Sequence, residues 1–182
     1  MYNIVGALFN EESEARQAMA ALSEVPQING TTIYQISLVK RKEGMLKLCD
    51  NFTSQYLNSG DTLKGGLIGG LIGVLTGPVG MLLGGAAGAL LGKAGANDKK
   101  DDSAALIEQA AQKLEEGDIA LIALVEETDE NVLDHALVKY NTVVVRYDAD
   151  VIAKELEEAE KMEEEMARQA RETLRAREKE ND

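Results

Sequence analysis

GGLIGGLIGVLTG (65–77), Pro78-Val79 and GMLLGGAAGALLG (80–92) form the stretch that decides the fold. It holds 11 of the chain's 17 glycines and no charged side chain. Glycines recur at four-residue spacing, at Gly65, Gly69, Gly73 and Gly77, then at Gly80, Gly84, Gly88 and Gly92. Positions four apart stack along one helix face, so each half presents a groove that another backbone can enter closely. Such a helix is poor in water alone, because each internal glycine costs about 1 kcal/mol relative to alanine. Close helix packing or lipid offsets that penalty, and the pattern is a double glycine zipper.

A continuous helix over 65–92 would be about 42 Å long, enough to cross a bilayer core of about 30 Å. Gly77-Pro78-Val79-Gly80 interrupts it at the middle, where proline flanked by glycine turns or breaks a helix. The expected geometry is therefore a helical hairpin inserted over 63–96, with arms of about 20 Å that are too short to span. Lys64 and Lys93 bracket it as interface anchors, side by side at its mouth, where both can snorkel towards one headgroup layer. Two placements follow. Either the hairpin dips into one leaflet, or neighbouring subunits fill its grooves inside a protein assembly.

Outward from the zipper, the sequence turns ordinary. Tyr2–Phe9 reads as a strand, and Asn10 as the N-cap of a helix with Glu11, Glu12 and Glu14 in its first turn. Ala15, Ala18, Met19 and Leu22 follow at helical spacing until Pro26. Tyr34, Ile36 and Leu38 alternate with Gln35 and Ser37, predicting a half-buried strand over 31–42; a turn at Lys40–Gly44 and a return strand at Met45–Leu48 follow. After a charged linker at 97–102, Leu106, Ile107, Ala110, Ala111 and Leu114 mark an amphipathic helix ending at Gly117. Ile119–Val125 is a near-continuous apolar run, as in a strand covered on both faces. Leu133, Ala136, Leu137 and Tyr140 share a short helix face, and Thr142–Tyr147 is the last strand. The order predicts an α+β ferredoxin-like sandwich over 1–62 plus 101–148, with the zipper inserted midway. The remainder, 149–182, is one long charged helix with a thin apolar stripe of Ile152, Leu156, Ala159, Met162, Met166, Ala170 and Leu174. Its first half is acidic, its second basic.

At a formal net charge of −13 the chain offers no basic patch for nucleic acid. Cys49 is its only cysteine, so neither an intramolecular disulfide nor a multi-cysteine metal site can form. The N-terminal residues lack the basic start and cleavage site of a secretory signal, which points to the cytoplasmic side of the membrane, or to a soluble assembly in the cytoplasm. His135 reads as a surface or core-edge side chain, Cys49 as a small hydrophobe, and the aspartates at 101, 102, 148 and 150 as caps and turns. Phe52, Tyr56 and Leu57 suit either an approach to a membrane interface or core packing. The glycines fit neither phosphate-binding fingerprint: Gly92-Lys93 is followed by Ala94, which lacks the hydroxyl, and the repeat runs far past one turn. No catalytic residue, metal site, cofactor or small-molecule substrate is predicted.

VGALFNEESEARQAMAAL near the N-terminus, EGDIALIALVEE, and the interposed GGLIGGLIG…GGAAGALLG together resemble the bacterial family known as domain of unknown function 1269. The resemblance covers about residues 2–148. It implies an α/β domain with a membrane-associated glycine zipper and carries over no catalytic residue. The expected function is a non-enzymatic, homo-oligomeric scaffold or stress-related assembly at a membrane. The alternatives are a soluble particle with the hairpins as its core, and a small-ligand sensor on the ferredoxin-like sheet.

Overall fold

Two apolar runs occupy the middle of the structure because both of their faces can be covered. The computed structural model describes residues 1–24, 26–57, 62–76, 114–140 and 142–180. Within these, the elements are β1 (Tyr2–Phe9), α1 (Glu12–Glu24), β2 (Gln27–Ile28), β3 (Thr31–Lys42), β4 (Met45–Thr53), α2 (Thr62–Thr76), β5 (Ile119–Glu126), α3 (Asn131–Leu137), a 3-10 turn (Val138–Tyr140), β6 (Val144–Asp148) and α4 (Ala149–Glu180). The fold is α+β, with a six-stranded antiparallel sheet. β5 lies between β3 and β1, β6 flanks β1, and both β2 and β4 pair with the far edge of β3.

Alternation along the strands sorts side chains into two layers. Val5, Ala7 and Phe9 of β1 and Ile119, Leu121, Ala123 and Val125 of β5 meet Ala15, Ala18, Met19 and Leu22 of α1 and Leu133 and Leu137 of α3. The opposite parity, Ile4 with Ile122 and Leu124, meets α2 and the start of α4 through Leu71, Ile72, Ile152 and Leu156. Helices on both sides explain why β1 and β5 read as continuous apolar runs.

Several sequence expectations shift. The Glu11 carbonyl accepts the first helical bonds, from Glu14 and Ala15, so the cap of α1 falls at Glu11 instead of Asn10. β3 is buried on both sides instead of half-buried, and Tyr34 does not share a layer with Ile36 and Leu38. The cause is a bulge: Ile33 faces Val125 and Gln35 faces Leu124, leaving Tyr34 unmatched. Its phenol donates to Glu126 Oε2 at 2.7 Å, while its ring lies 5.9 Å from that of Tyr2. Burial, with hydrogen bonds to Glu126 and Tyr2, pushes the Tyr34 phenol well above its ordinary value. The return strand β4 runs to Thr53, beyond the predicted Leu48. The last strand starts at Val144, because Thr142 turns its hydroxyl to the Leu8 carbonyl. The helix predicted over 106–114 lies outside the described residues except for Leu114, which is buried.

β2 is absent from the sequence reading, although its signal was present. Asn29-Gly30 forms a two-residue turn with φ of 46° and 78°, and Glu43-Gly44 closes the β3–β4 hairpin with 59° and 73°. Two positive φ values in succession are the turn that matches strand twist, and Asn-Gly is its strongest sequence marker.

One charged cluster ties the sheet end to α3. The Glu127 side chain, 1% exposed, accepts Arg146 Nε at 2.9 Å and Asn3 Nδ2 at 3.1 Å. Arg146 Nη2 also donates to Asp134 Oδ1 at 2.8 Å and to the Glu130 carbonyl at 2.9 Å. Burial works against the cation, but hydrogen bonds to Glu127 and Asp134 outweigh it and hold Arg146 protonated. Removing one partner of a buried pair strands the other charge, at a cost of about 3–5 kcal/mol, whereas replacing both by apolar groups costs far less. Arg146→Leu is therefore expected to lose stability of that size in urea unfolding, and Glu127→Leu/Arg146→Leu to recover most of it. A double variant no more stable than the single one would refute this account of the cluster.

Candidate functional site

α2 is 15 residues long, about 22 Å, and holds five glycines: Gly65, Gly66, Gly69, Gly70 and Gly73. It forms because its other face is core. Leu67, Ile68, Leu71, Ile72, Val74 and Leu75 are each no more than 8% exposed. Burying such a side chain contributes roughly 1.5–3 kcal/mol, so six of them outweigh five glycines at about 1 kcal/mol each. At the C-terminal end, Thr76 Oγ1 donates back to the Ile72 carbonyl at 2.8 Å. Leu67, Leu71 and Leu75 pack in the layer between α2, α4 and the sheet.

The glycines take the remaining face. Among the described residues, a Cβ added at Gly66, Gly69 or Gly73 would meet nothing within 4 Å, and all three residues are exposed. Gly70 is turned towards α4, where a Cβ would lie 3.5 Å from Leu156 Cδ1 and 3.6 Å from Glu160 Oε1. A helix covering a sheet normally shows charged residues to water. This one shows backbone. Lys64 and Gly65 belong to its first turn. Gly77, Gly80, Gly84, Gly88, Gly92 and Lys93 lie outside the described residues, as do Asp101 and Asp102. The site therefore brings together Gly69 and Gly73 of the first zipper run, with Gly66 beside them. Among the described residues no helix is long and apolar enough to cross a membrane.

The other residues singled out in the sequence fall into structural roles. His135 is exposed on α3, its Nδ1 2.7 Å from the Asn131 carbonyl. Asp148 caps α4, its Oδ1 accepting the amides of Asp150 and Val151 at 2.8 and 3.2 Å. Phe52 packs on the α1–α3 layer, and Tyr56 and Leu57 on the α2–α4 layer. Cys49 is half-buried instead of buried, because it is the unmatched residue of a bulge in which Leu38 faces Asp50 and Val39 faces Leu48.

These features define an α+β protein whose sheet is roofed on one side by a glycine-faced helix and the start of a long charged one. The chain belongs to the family described as protein of unknown function (DUF1269), whose model matches residues 62–169. That span begins at α2 and reaches well along α4, further than the resemblance read from the sequence, and it leaves out β1 to β4. No curated protein and no solved structure matches the chain.

The open space over Gly69 and Gly73 gives a direct test of the site. Gly→Ala at an exposed helix position gains about 0.5–1 kcal/mol when the new methyl group meets nothing. Gly69→Ala and Gly73→Ala are each expected to raise stability by that amount in urea unfolding under dilute, monomeric conditions. Gly30→Ala, at φ +78° and against the Thr128 side chain, is expected to lower it. Destabilisation by the α2 substitutions would mean that the face is already covered within the monomer.

Proposed function

We propose that this chain is a non-enzymatic, self-associating protein in which the glycine face of α2 receives a helix backbone from another copy. The observation that carries the reading is the division of α2: every large described side chain faces the core, and Gly66, Gly69 and Gly73 face outward, where no described residue would meet an added Cβ. A helix with no polar face suits a covered position, and small residues four apart let two backbones come close enough for extensive van der Waals contact. The second glycine run, 80–92, repeats the spacing and supplies a complementary partner. Its lack of charge also suits membrane lipid, so the assembly is placed at the cytoplasmic side of a membrane as a scaffold or stress-related coat.

The domain that holds α2 is read as a ferredoxin-like sandwich. The chain order β1-α1-β3 then β5-α3-β6 and the sheet order β3-β5-β1-β6 support this, with β2 and β4 added outside β3. A second reading, a soluble particle with the zippers as its core, is favoured by Leu67, Leu71 and Leu75, since these leucines are committed to the sheet.

Light scattering of the untagged protein without detergent, paired with flotation on anionic vesicles, tests both readings. Gly69→Leu/Gly73→Leu is expected to reduce the assembly mass by at least half with the fold intact by circular dichroism. Unchanged mass would sink the glycine interface. Flotation of the wild type supports the membrane form, and a discrete particle that does not float supports the soluble one.

A further inference from the structure

α4 carries a charge pattern that its own domain leaves unused. Its first part is anchored by Ile152 and Leu156, with Ala159 and Met166 packed at the margin of the same layer. From Ala167 to Arg175 every residue is exposed. Glu157, Glu160, Glu164, Arg168, Arg171 and Arg175 are all exposed, and their spacings of three and four place them on one helix face, with Glu160 at its margin beside Gly70 of α2. The stripe thus reads three glutamates followed by three arginines, with its sign reversing about position 166.

A solvated helix face ordinarily alternates charge at such spacings, because opposite charges three or four apart attract and like charges repel. Within the stripe itself, only Glu164 and Arg168 form an attractive neighbouring pair. The neighbours Glu157–Glu160, Glu160–Glu164, Arg168–Arg171 and Arg171–Arg175 all repel. Among the described residues none of the six makes a salt bridge. Lys154, Lys161, Glu165 and Glu172 lie three or four residues from Glu157, Glu164, Arg168 and Arg175, whereas Glu160 and Arg171 have no opposite charge at those spacings, so intrahelical pairing leaves the middle of each half uncompensated.

We propose that α4 pairs antiparallel with α4 of a second copy of the chain through this stripe. Two such helices crossing at residue 166 set Glu157 opposite Arg175, Glu164 opposite Arg168 and Glu160 within one residue of facing Arg171, and the two-fold axis repeats each pairing. Every like-charge repulsion within one helix then faces compensation from the other. A parallel arrangement would oppose glutamate to glutamate and arginine to arginine, so the stripe selects direction and register as well as partner. An anionic surface would attract the arginines and repel the glutamates; a second copy satisfies both. Exposed ion pairs are individually weak and screened by salt, so the contact draws its strength from all the pairings acting together and fades as salt rises. It involves a different surface from the glycine face of α2 and does not rest on that reading.

The test uses two full-length variants, Arg168→Glu/Arg171→Glu/Arg175→Glu and Glu157→Arg/Glu160→Arg/Glu164→Arg, whose stripes become uniformly acidic and uniformly basic. All six positions are exposed, so both variants are expected to fold, with circular dichroism as the check. In sedimentation velocity at low salt, each variant alone is expected to self-associate at least about 100-fold more weakly than wild type. A 1:1 mixture is expected to restore association, as a heterodimer, and 0.5 M NaCl to weaken it again. A single variant that associates like wild type, a mixture no better than its components, or a wild type monomeric at low salt overturns the proposal. Repeating the series in the Gly69→Leu/Gly73→Leu background separates the two surfaces, because α4 pairing there is read without any glycine-dependent contact.

Discussion

The structure depends on one requirement: the sheet must be covered on both faces. β5 is buried along nearly its whole length, with Leu121 and Val125 on one side and Ile122 and Leu124 on the other. A strand of that composition is stable only between two apolar layers. α1 and α3 supply one layer. The other has to come from α2 and the first turns of α4, because they are the described elements that bring enough aliphatic surface to that side. This demand sets the orientation of α2. Its leucines, isoleucines and valine turn inward, and what remains for the outside is glycine.

That orientation changes the meaning of the glycines. In isolation they look like the reason the helix exists, a seam for another helix. In the folded chain the helix exists because of its aliphatic face, and the glycines are a residual cost that core burial more than offsets. On a face that no described residue covers, they are what the proposed close approach of another backbone would use. Gly70 shows the same logic inside the monomer, where the absence of a side chain leaves room for Leu156 and Glu160 of α4.

α4 is divided in a similar way. Up to Met166 it belongs to the core, and beyond that it projects with Leu174 60% exposed. Asp148 starts it directly at the end of β6, so its direction is fixed by the sheet. The Glu127–Arg146 cluster in turn links β6, across β1, to the end of β5 and to α3. A surface charge pattern on α4 is thereby carried on a rigid element with a defined direction, a precondition for using it in recognition.

Periodicity alone made most elements legible. Apolar runs in β1 and β5, alternation in β3, helical spacing at Ala15, Ala18, Met19 and Leu22, and the charged run after Asp148 each identify an element, because local geometry and burial repeat with the chain. The Asn29-Gly30 hairpin was equally legible from its turn chemistry. The glycine spacing also marks a helix face by itself, and so does the sign change along α4. What those faces meet was decided only in three dimensions. A bulge at Tyr34 moved one side chain to the opposite layer, and no sequence period encodes one extra residue. Leu67, Leu71 and Leu75 suit lipid, a neighbouring subunit or a sheet equally well by composition. The choice fell to the sheet because its second apolar face lies within the same chain, at an effective concentration that no separate partner matches.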